Sequence, residues 1–151
     1  MPAPYSGGCQ CGAIRYTLRN DPLTLYVCHC TECQKQSSSA FGMSMTVLRT
    51  DVDITQGTLA TFERPANHGH RVECTYCADC GSRLFHATSR RPDHMNIKPG
   101  TLDDTQWLKP VAHVWTGSAQ PWVTIPNDML TFSAQPPSHD PLVAAYRAAQ
   151  T

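Results

Sequence analysis

Eight cysteines in 151 residues constrain this chain more than any other feature, because they fall in three tight clusters. These are Cys9 and Cys11, then Cys28, Cys30 and Cys33, then Cys74, Cys77 and Cys80. The run Cys77-Ala78-Asp79-Cys80-Gly81 has the form of a metal knuckle, in which the glycine lets backbone amides approach two thiolates. One knuckle supplies half of a tetrahedron. The segment Gly7-Gly8-Cys9-Gln10-Cys11-Gly12 has the matching flexible form, so the spacing predicts one structural zinc held by Cys9, Cys11, Cys77 and Cys80. The remaining run, Cys28-His29-Cys30-Thr31-Glu32-Cys33, offers three thiols in six residues. That is one short of a closed tetrahedron and is the count expected of a catalytic zinc with an open position. Disulfides are the weaker reading, since Cys-x-Cys is awkward for a short-range bridge. Cys74 reads as a small buried side chain on the same strand face as Val72 and Tyr76. The alternative is that Cys74 completes the coordination begun by Cys28, Cys30 and Cys33, which would make both metals structural.

Length and charge narrow the function classes. A chain of this size buries about two thirds of its unfolded surface, so it needs no staple merely to reach a stable core. We read residues 1–151 as a single domain in which 136–151 form a linker and a helix. Lys and Arg together number 12, as do Asp and Glu, and charged residues make up only 16%. The basic residues are scattered, which argues against a nucleic-acid partner. The opening Met1-Pro2-Ala3-Pro4-Tyr5-Ser6-Gly7-Gly8 lacks the positive and apolar regions of a secretory signal. No apolar run approaches the ~18 residues of a membrane span. The expectation is therefore a cytoplasmic protein in a reducing compartment, with no membrane partner. Homo-oligomerisation is left open by the sequence.

The apolar residues alternate more than they recur with helical period, so the fold class is mainly β. In Ala13–Arg19, residues Ile14, Tyr16 and Leu18 share one face. Residues 43–47 and 70–76 read as further strands, with 82–87, 95–98, 111–115 and 129–133 as additional candidates. The stretch 51–62 is ambiguous, and its Gly57 marks a turn between two strands. The one strong helix signal is terminal: Asp140 as cap, Pro141 at the first helical position and Leu142 to Ala149 as helix formers.

Several runs together resemble the family of glutathione-dependent formaldehyde-activating enzymes, which also contains centromere protein V. They are the segments 7–16, 28–41, 76–82, 100–104 and 110–115, carrying every cysteine but Cys74 together with Pro110-Val111-Ala112-His113-Val114-Trp115. The resemblance runs from about Tyr5 to Pro136, and the combined cysteine pattern is far more specific than one Cys-x-x-Cys. It departs from the family at Ser38, where relatives often carry glycine, and at Tyr76, where phenylalanine is usual. It implies a Mss4-like β fold, a structural zinc on Cys9, Cys11, Cys77 and Cys80, and a second zinc on Cys28, Cys30 and Cys33. It also implies a carbon–sulfur lyase activity that adds the thiol of glutathione, as co-substrate, to formaldehyde. The partners are then a small-molecule thiol and an aldehyde, and His29 is the nearest proton donor by sequence. A non-enzymatic interaction module with two structural zincs is the alternative, and thiol redox sensing through Cys28, Cys30 and Cys33 a third reading.

The other polar and aromatic residues invite plainer readings. An outward, solvated side chain is as good an account of His29 as a functional one. His68, His70, His86, His94, His113 and His139 read as isolated surface or hydrogen-bonded histidines. Trp107, Trp115 and Trp122 read as core or pocket wall. Lys35, Arg49 and Lys98 suit either the carboxylates of glutathione or solvent.

Overall fold

A computed structural model describes residues 2–66 and 69–151. The expectation for His68 therefore lies outside the described residues. The chain is mainly β with a short C-terminal helix, as the alternation predicts. Its backbone contacts divide into two compact units. The first consists of the residues before Leu23 and of Thr46–Trp107, the second of Leu23–Met45 and Leu108–Thr151.

In the first unit, β1 (Tyr5–Gly8), β2 (Arg15–Leu18) and β5 (Val52–Gln56) form an antiparallel sheet in the order β1-β2-β5. The alternating pattern of β2 has its physical cause here, since Ile14, Tyr16 and Leu18 are all buried on one side. Gly7 lies in β1 beneath the Tyr16 ring, where a Cβ would come within 2.6 Å of the ring carbon Cζ. The Tyr16 hydroxyl is fixed at 2.8 Å from Thr101 Oγ1. Gly57 follows β5 with φ +83°, which confirms the turn read from the sequence. Beyond it run β6 (Ala60–Pro65), β7 (Arg71–Tyr76), β8 (Arg83–Thr88) and β9 (His94–Ile97), an antiparallel series in which each strand pairs with the next.

In the second unit the pairing is of another kind. β3 (Thr24–Cys28) pairs in parallel with β10 (Ala112–Val114), and β10 in parallel with β11 (Leu130–Thr131). β4 (Gly42–Leu48) runs through both units, with residues 42–45 in the second and 46–48 in the first. Every residue of β3 is buried, so it lacks the alternation that identifies a half-buried strand. Its side chains Tyr26 and Cys28 form a core with Ala112, Val114 and Leu142. Leu142 belongs to the terminal helix, α2 (Asp140–Gln150), and its carbonyl accepts from Thr24 Oγ1 at 3.0 Å.

Two helix details differ from expectation. Asp140 is the first residue of α2 and not its cap. The N-cap position falls on His139, whose side chain makes no capping bond, and the Asp140 amide donates instead to Ser138 Oγ at 3.0 Å. A second helix, α1 (Thr31–Ser37), carries no apolar stripe because none of its residues is buried. It ends on Ser38 at φ +53°, the left-handed conformation that glycine adopts without strain.

Candidate metal centres

The first thiol cluster forms where two turns meet within the first unit. After β1 the chain reverses through a turn in which the Gly12 amide donates to the Cys9 carbonyl at 3.1 Å. Between β7 and β8 lies the second turn, with Cys77 N–H bonded to the Ser82 carbonyl at 2.9 Å and Gly81 N–H to the Cys77 carbonyl at 2.8 Å. Gly81 supplies the positive φ of 79° that this knuckle requires. The sulfur atoms of Cys9, Cys11, Cys77 and Cys80 all lie within 4.8 Å of one another. Cys9 and Cys11 are 3.6 Å apart, Cys11 and Cys77 3.8 Å. A tetrahedron with zinc–sulfur bonds of about 2.3 Å has sulfur–sulfur edges of about 3.8 Å, whereas a disulfide is about 2.05 Å long. The cluster therefore has the dimensions of a four-thiolate zinc site.

The surrounding donors are those that thiolates need. The Ile14 amide donates to Cys9 Sγ at 3.1 Å. Ser82 Oγ accepts from the Gln10 amide at 3.0 Å, which leaves its own hydrogen for Cys80 Sγ at 3.2 Å. That hydroxyl, with the Ser82 amide, brings the Cys80 thiol down to about 5.

The second cluster is local to one strand end and one helix start in the second unit. Cys28 closes β3, Cys30 is the N-cap of α1 and Cys33 lies in its first turn. Cys30 Sγ accepts from the Cys33 amide at 3.3 Å, so a thiol takes the role usually filled by a serine or aspartate oxygen. The three sulfurs lie within 4.8 Å of one another. Hydrogen bonds with the thiols of Cys28 and Cys33 hold Cys30 down to about 2, while those with Cys30 and Cys33 push Cys28 up. Three thiols brought together in this way suit a cation. Gly42 leaves room behind it, since a Cβ there would touch the Cys33 Cβ at 3.4 Å. Cys74 is fully buried in β7, and among the described residues neither thiol group includes it.

His29 is placed differently from its outward, solvated reading. Its ring is fully buried, and burial lowers its pKa. Its Nε2 lies 2.8 Å from Nδ1 of His113, and the two rings stack at 5.1 Å with 19° between their planes. His113, read from the sequence as isolated, is therefore the partner of His29; burial first and then His29 lower its pKa as well. Sequence reasoning also missed Gln34. Its Nε2 donates to the carbonyls of His29 and Ser118, both at 2.9 Å, and its Oε1 accepts from Gln120 at 3.2 Å. Gln34 thereby ties the turn between Cys28 and Cys30 to the segment after β10. No spacing rule marks such an amide, whose partners lie up to 86 positions away. Trp115 packs against the core that contains Cys28 and takes an αL conformation at φ +57°, a strained backbone of the kind concentrated near functional sites. Trp122, expected as core or pocket wall, is instead 71% exposed, with its Nε1 donating to Gln120 Oε1 at 2.6 Å.

A family model described as glutathione-dependent formaldehyde-activating enzyme matches residues 4–118. Among solved structures, the crystal structure of a Rhodobacter sphaeroides protein is similar with a TM-score of 0.54 and 18% identity, covering 70% of this chain and 91% of that one. At that identity the likeness speaks for the fold alone. No helix among the described residues is long and apolar enough to cross a membrane.

Proposed function

We propose, from the premise that the chain belongs to the family of glutathione-dependent formaldehyde-activating enzymes, that it joins a small-molecule thiol such as glutathione to a small aldehyde such as formaldehyde. The observation that carries this reading is the convergence of Cys28, Cys30 and Cys33, three sulfur ligands where a tetrahedral ion takes four. The reaction forms one carbon–sulfur bond. The sulfur lone pair attacks the carbonyl carbon, the carbonyl π pair moves to oxygen, and the proton lost by the thiol ends on that oxygen. Its reverse is a lyase step. A zinc ion bound by the triad would supply the charge that keeps a substrate thiol deprotonated near neutral pH. Cys9, Cys11, Cys77 and Cys80 would hold a second zinc whose role is structural.

The chain's own residues have separable tasks. Cys28, Cys30 and Cys33 bind the metal, and Gln34 fixes the turn that presents them. The His29 ring is fully buried and its Nε2 lies 2.8 Å from Nδ1 of His113, which is 8% exposed, and we assign the pair the role of handing a proton outward. A cytoplasmic setting would provide both a reducing environment for the thiols and abundant glutathione.

Elemental analysis of wild type beside Cys30→Ser, paired with the rate, above the uncatalysed background, at which glutathione and formaldehyde give their hemithioacetal, tests the reading. Two zincs falling to one, with loss of the catalysed rate, is the expected result. Two zincs without any rate above background in the wild type would refute the lyase and favour the two-zinc interaction module. One zinc in both proteins would remove the triad as a metal site.

A further inference from the structure

The face of β7 and β8 that carries Glu73 and Thr75 bears an open cleft, built wholly within the first unit. Cross-strand pairing sets Glu73 opposite Ala87 and Thr75 opposite Phe85, so these four side chains share one face. Thr75, Phe85 and Ala87 are buried and form the floor. Thr75 Oγ1 donates to the Phe85 carbonyl at 3.2 Å, so the proton of the floor's hydroxyl is already engaged. His86, between Phe85 and Ala87, turns its ring to Asn96 on the reverse face. Met95 of β9, Val52 and Ile54 of β5, and Leu59 of the turn after β5 complete the lining. The cleft has a volume of about 180 Å³. It opens to solvent along its walls, where Ile54 is 41% exposed and the side chains of Arg49 and Glu73 are 46% exposed each. An apolar hollow favours a ligand with an apolar body. Since an apolar cavity of about 150 Å³ holds benzene, the body that fits here is one ring or a branched chain of similar bulk.

Two opposite charges stand at the mouth without closing on each other. Arg49, which follows β4, donates from Nε to the Pro92 carbonyl at 3.2 Å, and its Nη1 lies 3.9 Å from Glu73 Oε1. That separation exceeds a hydrogen bond and is of the kind that a bridging group fills. Among the described residues, neither the Glu73 carboxylate nor the terminal nitrogens of Arg49 have a hydrogen-bond partner. The neighbouring charges are matched, since Glu63, opposite Glu73 in the ladder, is bonded to Arg71 at 2.7 Å. A group entering between Arg49 and Glu73 therefore meets one cation and one anion. A carboxylate there is repelled by Glu73, and an amidinium by Arg49. A carboxamide suits both, because its oxygen accepts from the guanidinium while its NH2 donates to the carboxylate.

We propose that this cleft binds a small neutral carboxamide whose body is a single ring or a branched alkyl group, with the body on Phe85 and Ala87 and the amide bridging Arg49 and Glu73. The site does not depend on the lyase reading.

Three ligands of one shape test it: benzamide, benzoate and benzamidine, which differ in the charge of the polar end. Each is titrated at neutral pH and constant ionic strength into the zinc-loaded full chain, labelled with 13C in its isoleucine, leucine and methionine methyl groups. Saturable shifts at Ile54, Leu59 and Met95 are expected with benzamide, and binding of the other two should be at least tenfold weaker. Glu73→Gln removes the anion and should reverse the order, so that benzoate binds more tightly than benzamide. Ala87→Leu fills the floor and should weaken benzamide at least tenfold. Absence of saturation with benzamide overturns the proposal, as do shifts confined to other methyl groups. So does benzoate or benzamidine binding the wild type as tightly as benzamide, an order that Glu73→Gln leaves unchanged, or a benzamide affinity that folded Ala87→Leu retains. The backbone amide spectrum of each variant verifies that it is folded. Glu73 is half exposed, so the charge test stands even where Ala87→Leu fails to fold.

Discussion

Acid should destabilise this protein through His86 by an amount that the site itself fixes. Its folded pKa lies well below the ordinary value of 6.5, first because the ring is buried and then because four cations surround it. The unfolded chain binds a proton at His86 as the pH falls through about 6.5, whereas the folded chain does not. Protons bound in the unfolded state exceed those in the native state, so stability present above pH 6.5 is lost as the pH falls toward the folded pKa. For a ring that stays neutral when folded, the loss is RT ln(1 + 10^(6.5 − pH)), about 0.2 kcal/mol at pH 7, about 1.4 at pH 5.5 and about 2 at pH 5. Other groups contribute to acid sensitivity as well, His29 and His113 among them, since their pKa values are also lowered by burial. A comparison with His86→Gln cancels that background, because Asn96 Nδ2, which lies 3.1 Å from His86 Nε2, can donate to the glutamine oxygen instead. Urea unfolding of both proteins at pH 7 and pH 5.5 should show wild type losing about 1.2 kcal/mol more than the variant between the two pH values. Equal losses would mean that His86 titrates in the fold as it does in a peptide, and would refute the reasoning.

Two glycines of positive φ should respond differently to alanine. A Cβ at Gly57 would fall within contact distance of the Ala13 carbonyl oxygen and within 2.7 Å of Ile14 Cδ1, whereas one at Gly12 meets nothing within 4 Å. Gly12→Ala should cost the strain of a left-handed residue, about 1–2 kcal/mol, and Gly57→Ala clearly more; equal denaturation midpoints would contradict this. Replacing Gln34 with leucine removes the amide that holds the His29 and Ser118 carbonyls. Zinc should then leave the triad faster in a chelator competition, by about tenfold as for other groups that orient metal ligands, while release from the four-cysteine cluster stays as in wild type.

What could be read from the sequence, and what could not, follows from the range of each interaction. β2 was legible because Tyr16 and Leu18 are buried while Arg15 and Thr17 are only half so, a contrast that the alternation itself displays. β3 was not, since all five of its residues are buried and an unbroken run carries no period. α1 escaped for the opposite reason: nothing in it is buried, and its cap is a cysteine that the spacing had already spoken for. The grouping of Cys9 and Cys11 with Cys77 and Cys80 was legible across 66 positions because few side chains hold zinc and the tetrahedron fixes how many must meet. The approach of His29 to His113 spans 84 positions and has no such count, for an imidazole accepts any neighbouring donor and its partner is set by packing alone. The same distinction explains His86. Its orphaned Nδ1 follows from Asn96 across the ladder and from Thr46 beyond it, whose hydroxyl orients the amide. A reading confined to composition and spacing sees only a histidine between two apolar residues, and its partner appears once the register of β8 and β9 is known.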